Sequence, residues 1–130
     1  MIVVDSSAVL EVLLRSQAGL AIEERIFSPQ ETLHAPHLLD LEVAQVLRRY
    51  CASGEMDPER GQEALTDLAE FPINRYPHDV FLSRIWALRA NMTAYDACYV
   101  ALAEMLPAPL LTRDARLASA PGHGAVIERF

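Results

Sequence analysis

Short apolar runs of strand length alternate with longer stretches of helical period along this 130-residue chain. Strands are predicted at 2–5, 32–35, 73–76, 110–112 and 125–127. Helices are predicted at 8–15, 18–27, 37–52, 58–71, 79–90, 94–106 and 115–118. Because strands that alternate with helices usually pair in parallel, the pattern predicts an α/β fold. We expect a three-layer sandwich, in which a mostly parallel central sheet is flanked by helices.

The length and composition are typical of one compact domain, and we expect a single domain over residues 1–130. Hydrophobic residues make up 52% of the chain, which favours a globule over a disordered segment. No apolar run reaches the ~18 residues of a membrane span, and the first residues lack the basic region of a signal peptide. We therefore predict a cytoplasmic protein without membrane contact. Cys51 and Cys98 are too few for a disulfide framework, so buried free thiols are expected.

The charged residues exclude two kinds of chemistry. All 11 basic residues are Arg, so a Walker A phosphate loop and a Lys Schiff base are impossible. The formal net charge of −7 weighs against a nonspecific nucleic-acid-binding protein, which is usually basic. The arginines could still line a groove, so the acidity weakens an interpretation as a nucleic-acid enzyme without excluding it.

Four carboxylates follow or open the predicted elements, namely Asp5, Glu42, Asp96 and Asp114. Asp5 ends the first predicted strand, and Asp114 comes two residues after the predicted strand at 110–112. In open parallel sheets, ligands bind beyond the carboxyl ends of the strands. Acidic side chains gathered at that edge would form a site for a hard divalent cation.

Each of the two strand-end carboxylates also has a structural alternative. Asp5 could be the N-cap of the helix that follows, unless Ser6 or Ser7 takes that position and leaves Asp5 free. Asp114 could be the N-cap of the short helix at 115–118. The sequence leaves both alternatives open.

The two helical carboxylates differ in how much the sequence says about them. Thr93 and Asp96 fit a capping box, but the helix that follows is apolar on nearly every side and is expected to be buried. An ionised carboxylate there is costly unless it is paired or binds a metal, which favours a functional role for Asp96. Asp40 and Glu42 point to nearly opposite sides of one helix, so one site cannot use both. Periodicity alone does not choose between them.

Other polar and aromatic residues are weaker candidates for a function. His34 and His37 have ligand-like spacing, but two histidines do not complete a zinc site. Trp86 and the tyrosines are expected in the core. Glu11 and Arg15 are expected to pair on the outer face of their helix.

Four stretches together resemble the PIN-domain family and, within it, the VapC-type toxins of bacterial type II toxin–antitoxin systems. They occur in the family's order over almost the whole chain, at residues 2–8, 41–47, 95–103 and 110–117. The resemblance implies a PIN-like nuclease fold. It also selects Glu42 over Asp40 and implies that Asp5, Glu42, Asp96 and Asp114 form one site for Mg²⁺ or Mn²⁺. Ser6 and Thr112 match hydroxyl positions that support such a site.

The activity that the resemblance implies is endoribonucleolytic cleavage. RNA phosphodiesters would be hydrolysed by a metal-activated water, leaving a 5′-phosphate and a 3′-hydroxyl. The implied partners are a cognate antitoxin protein and a second copy of the chain in a homodimer. One alternative is a catalytically silent PIN-like module that only binds a partner. Another is a receiver-type signalling domain, which would need a Lys at a later strand end, and this chain has none.

Overall fold

A single parallel sheet of five strands forms the centre of the computed structural model, which describes residues 1–130. The strands are β1 (Ile2–Val4), β2 (Leu33–Pro36), β3 (Ile73–Tyr76), β4 (Leu110–Thr112) and β5 (Ile127–Arg129). Their order across the sheet is β3-β2-β1-β4-β5, and every neighbouring pair is parallel. The predicted α/β fold is confirmed and the sheet is wholly parallel, while the strand predicted at 125–127 begins two residues later, at Ile127.

Helices connect the strands and cover the sheet. They are α1 (Ser6–Leu13), α2 (Gln17–Ile26), α3 (Leu38–Ala52), α4 (Pro58–Glu70), α5 (Leu82–Ala87), α6 (Ala94–Met105) and α7 (Ala115–Ser119). The single helix predicted at 79–90 is instead a 3-10 turn at Asp79–Phe81 followed by the short α5. This helix ends early because Leu88 turns into the core and its N–H bonds the carbonyls of the last turn. No helix of the protein combines the length and apolarity that crossing a membrane requires.

The core explains why β1 and α6 contain so few polar residues. Twenty-nine buried apolar residues form one cluster, and the three residues of β1 are completely buried at the centre of the sheet. A parallel sheet covered on both faces requires such continuous apolar strands. Residues 97–103 of α6 are also all buried, as the sequence predicts, and α6 packs against β1 and β2. This packing brings the N-terminal turn of α6 towards the central strand.

Several predictions about individual side chains are wrong. Trp86, on the short α5, and Tyr95, in the first turn of α6, are 68% and 63% exposed. Glu11 and Arg15 do not pair, because Arg15 lies beyond the end of α1 with a left-handed φ of 54°. Both cysteines are free as predicted, although Cys51 is only partly buried.

Candidate metal centre

Asp5 lies at the carboxyl end of the central strand and is only 5% exposed. Its backbone is extended and its side chain accepts the Ala8 N–H at 3.1 Å, so Asp5 is the N-cap of α1. Of the alternatives that the sequence leaves open, the cap is Asp5 and not Ser6 or Ser7, since both serines already have helical positions. Each carboxylate oxygen can accept more than one hydrogen bond, so capping leaves Asp5 able to bind a cation.

Asp114 lies beside Asp5 because β4 and β1 are neighbours in the sheet. It caps α7, where its Oδ1 accepts the N–H groups of Arg116 at 2.8 Å and Leu117 at 3.4 Å. The strand order reverses between β1 and β4, since the chain continues outward from β1 to β3 and then returns on the other side. Ligands of open α/β sheets bind at the carboxyl ends of the strands at such a switch point.

Glu42 and Asp40 have different environments, although both belong to α3. The Tyr99 hydroxyl of α6 donates to Glu42 Oε1 at 2.6 Å. Asp40 instead forms a two-bond ion pair with Arg75, at 2.8 and 2.9 Å. The structure therefore brings Glu42 towards the strand-end carboxylates, while Asp40 is neutralised elsewhere.

Asp96 lies in the first turn of α6 and is partly buried. The Thr93 side chain accepts the Asp96 N–H at 3.1 Å and caps the helix, as the sequence predicts. The Asp96 carboxylate does not accept a return hydrogen bond from the Thr93 amide, so only half of the capping box forms. The Thr93 side chain nevertheless lies close enough to the Asp96 carboxyl group to lower its pKa slightly, against the larger effect of burial.

Burial and mutual repulsion raise the pKa of three of these carboxyl groups. Desolvation by burial is the largest cause for Asp5, Glu42 and Asp96. The negative charge of Asp114 raises the pKa of Asp5 and Asp96 further, and the charges of Asp5 and Asp96 act on Glu42. These interactions place all four carboxylates in one electrostatic neighbourhood.

No basic side chain neutralises this neighbourhood by direct contact. The protein has seven ion pairs, and none of them includes Asp5, Glu42, Asp96 or Asp114. The positive charge of Arg116 only partly offsets the raised pKa of Asp96. Buried carboxylates without a counter-ion are costly, and a bound cation is the usual remedy.

The donor chemistry of the four residues fits Mg²⁺ or Mn²⁺, both of which prefer oxygen ligands. No three acidic, histidine or cysteine side chains already lie at the mutual spacing of metal ligands. The match is therefore one of ligand type, charge and neighbourhood. The sequence-predicted hydroxyl of Thr112 is also present, completely buried, and donates to Asp5 Oδ2 at 2.5 Å.

The sequence reasoning missed the roles of Ser7 and Tyr99. Ser7 Oγ donates to Asp5 Oδ1 at 2.6 Å, whereas Ser6 lies next to Glu42 and lowers the pKa of that group slightly. Tyr99 was expected only as a core residue. Its position three residues after Asp96 puts both on one face of α6, which is a signal that could have identified it.

His34 is not available as a metal ligand. Its ring nitrogens contact the hydroxyl groups of Tyr76 at 2.7 Å and Thr32 at 2.8 Å. The imidazole is buried between these partners and has a structural role.

Comparison with known proteins agrees with this architecture. The family model of the PIN domain matches residues 2–122. Ribonuclease VapC1 of Mycobacterium tuberculosis is 47% identical over 121 residues, covering 92% of this chain and 90% of the relative. Ribonuclease VapC12 of the same species is 39% identical over 128 residues, covering 98% of each chain.

A solved structure shows the same fold at much lower sequence identity. VapBC2 from Rickettsia felis, bound to a DNA fragment from its promoter, superposes with a TM-score of 0.72 at 13% identity. The superposition covers 99% of this chain and 98% of that one. The chain therefore belongs to the PIN-domain family and, within it, to the VapC-type proteins.

Proposed function

We propose that this protein is a metal-dependent endoribonuclease and the toxin of a toxin–antitoxin pair. One observation carries the proposal. Asp5, Glu42, Asp96 and Asp114 have no ion-pair partner, and Asp5 and Asp114 follow the two strands on either side of the switch point of a VapC-type fold, which supports the proposal. We propose residues 1–130 as one PIN-like nuclease domain that acts in the cytoplasm.

The residues of the proposed site have two roles, namely binding of the metal and orientation of the carboxylates that bind it. Asp5, Glu42, Asp96 and Asp114 would hold Mg²⁺ or Mn²⁺, with Thr112 orienting Asp5 and Tyr99 orienting Glu42. Ser6, beside Glu42, would support that carboxylate. When bound, the cation would activate water and stabilise the negative charge that develops on the scissile phosphate. The chain itself offers no protein nucleophile motif of the G-x-S-x-G type.

The charge of the site explains why a cation would be needed before RNA can approach. The four carboxylates contribute −4 to the formal net charge of −7, so a phosphodiester would otherwise be repelled. Arg113 and Arg116 flank Asp114 and both are exposed. Arg113 pairs with Glu11 at 3.6 Å, and the two arginines would contact phosphates of the substrate.

A cleavage assay on total RNA tests the proposal. Asp5→Asn and Asp96→Asn should each abolish cleavage while the circular dichroism spectrum stays that of wild type, and a chelator should stop the wild-type reaction. Glu59→Gln is the matched control, because Glu59 is exposed and has no ion pair. Cleavage that survives both Asp variants, or survives the chelator, would leave a catalytically silent partner-binding module as the better interpretation.

Two protein partners belong to the proposal. The first is a second copy of the chain, because Leu82 and Trp86 are 57% and 68% exposed and lie one turn apart on α5. Exposed apolar surface of this kind usually marks an interface.

The second proposed partner is a cognate antitoxin encoded by a neighbouring gene, and its addition should suppress cleavage. Cleavage undiminished by that protein would contradict the inhibition.

A further inference from the structure

Two hydroxyl groups connect the Asp5 carboxylate with the loop that carries Asp114. Ser7 Oγ donates to Asp5 Oδ1 at 2.6 Å and accepts the Arg113 N–H at 2.9 Å. Thr112 Oγ1 donates to Asp5 Oδ2 at 2.5 Å and accepts the Asp114 N–H at 2.9 Å. Two consecutive amides therefore reach the two oxygens of one carboxylate, each through one hydroxyl.

The hydroxyl groups of Ser7 and Thr112 both donate to the Asp5 carboxylate. Each hydroxyl has a single proton, and both protons are used by Asp5. No hydroxyl proton is therefore left for a hydrogen bond between Ser7 Oγ and Thr112 Oγ1, which lie 3.4 Å apart. With both hydroxyl protons directed at Asp5, each oxygen of that carboxylate accepts a hydrogen bond from one hydroxyl.

We propose that Ser7 is a positioning residue of the candidate metal centre. Its hydroxyl fixes the rotation of the Asp5 carboxylate and ties that carboxylate to the loop of Asp114. This inference rests on the proposed function. The sequence gives Ser7 only a capping role, and Asp5 fills that role instead.

The remaining contacts make Ser7 separable from folding. Without the Ser7 hydroxyl, Asp5 Oδ1 still accepts the Ala8 N–H and Oδ2 still accepts from Thr112. The cap of α1 therefore survives in Ser7→Ala. What is lost is one of the three hydrogen bonds to the carboxylate and the link to Arg113. Removing such an indirect partner of a metal ligand typically lowers metal affinity about tenfold to a hundredfold.

Mn²⁺ titration by electron paramagnetic resonance tests the inference. Ser7→Ala should raise the Mn²⁺ dissociation constant about tenfold or more, and Ser7→Thr, which keeps the hydroxyl, should restore most of the affinity. Ser28→Ala is the matched control, because its hydroxyl donates only to carbonyls at the end of α2. In the cleavage assay, Ser7→Ala should lower kcat more than it changes KM.

A second readout needs neither metal nor substrate. In chelator, the Arg113 amide should exchange hydrogen faster in Ser7→Ala than in wild type, because it loses its acceptor. Mn²⁺ affinity or Arg113 exchange that Ser7→Ala leaves unchanged overturns this inference alone. Wild-type protein that binds no Mn²⁺ overturns the proposed function together with it.

Discussion

At the scale of single residues, two groups of acidic side chains differ in how their charge is compensated. Asp40 and Glu104 are matched by arginines in two-bond ion pairs, with Arg75 and Arg84. The four candidate ligands have no such partner. Pairing with Arg84 lowers the pKa of Glu104, whereas burial raises the pKa of Glu42. This difference separates acids that form ion pairs from the proposed metal ligands.

Two variants of α3 test that separation. Glu42→Gln should lose most of the cleavage activity, because it removes a proposed metal ligand. Asp40→Asn should keep most of the activity and instead lose stability, because the Arg75 guanidinium keeps only weakened hydrogen bonds. The measurement is cleavage rate together with thermal melting for each variant. Equal losses of activity in two well-folded variants would contradict the assignment of Glu42.

Asp96→Asn tests the electrostatic cost of the site. In chelator, this variant should melt at the same temperature as wild type or higher, because it removes one of several like charges. Raised carboxyl pKa values mean that the folded state binds more protons than the unfolded state between about pH 4 and the raised values. Wild-type stability from these groups is therefore lost as the pH rises through that window, and the advantage of Asp96→Asn should grow with pH.

Metal should reverse this order. Mg²⁺ or Mn²⁺ at a hundredfold excess over its dissociation constant stabilises the wild type by about 2.7 kcal/mol, and should stabilise Asp96→Asn much less. Thermal melts from pH 4 to pH 8, with chelator and with metal, provide the comparison. A variant that melts lower than wild type in chelator, beside a wild type indifferent to metal, would make Asp96 a purely structural residue.

At the scale of secondary-structure elements, the N-terminal ends of helices carry much of the site. Asp5 and Asp114 are N-caps of α1 and α7, and Asp96 follows the cap of α6 by three residues. Carboxylates are stabilised at these positions by the exposed N–H groups and the helix dipole. The capping and the functional interpretations, which compete in the sequence, are therefore compatible in the structure.

The cap of α6 can be tested separately from the metal. Thr93→Ala should lower the free energy of unfolding by about 1 kcal/mol, because the Asp96 N–H loses its acceptor. Thr93→Ser keeps the hydroxyl and should stay close to wild type. Urea unfolding in chelator measures both. Equal stability of Thr93→Ala and wild type would show that this cap contributes nothing to the helix.

At the scale of the whole molecule, the exposed apolar residues of α5 predict self-association. Trp86→Glu should convert the proposed homodimer to a monomer, since a charge replaces a large apolar side chain at the contact. Arg89→Ala serves as a comparison, because Arg89 stacks on Trp86 at 4.8 Å and its loss leaves the aromatic surface in place. Light scattering at micromolar concentration measures the state of each. A wild type that is monomeric there would refute the dimer.

Local sequence patterns determined the elements of this protein well. The strands at 73–76 and 110–112 have the predicted bounds, and Pro58 opens α4 as expected. These features depend on neighbours a few residues away, through apolar period, proline geometry and capping. Exposure was predicted less well, as Trp86 shows, because a short helix at the edge of the core can turn a large apolar side chain outward.

The sequence by itself also determined which residue types could form a site, and the family resemblance pointed to Glu42 and Thr112. Only the tertiary structure decided how they are arranged. It paired Asp40 with Arg75 across 35 residues and placed Ser7 between Asp5 and an amide 106 residues further along the chain. Contacts of this kind arise from the order of strands in the sheet, which puts β4 beside β1. Local periodicity contains no information on that order, because each strand satisfies its own pattern equally well beside any neighbour.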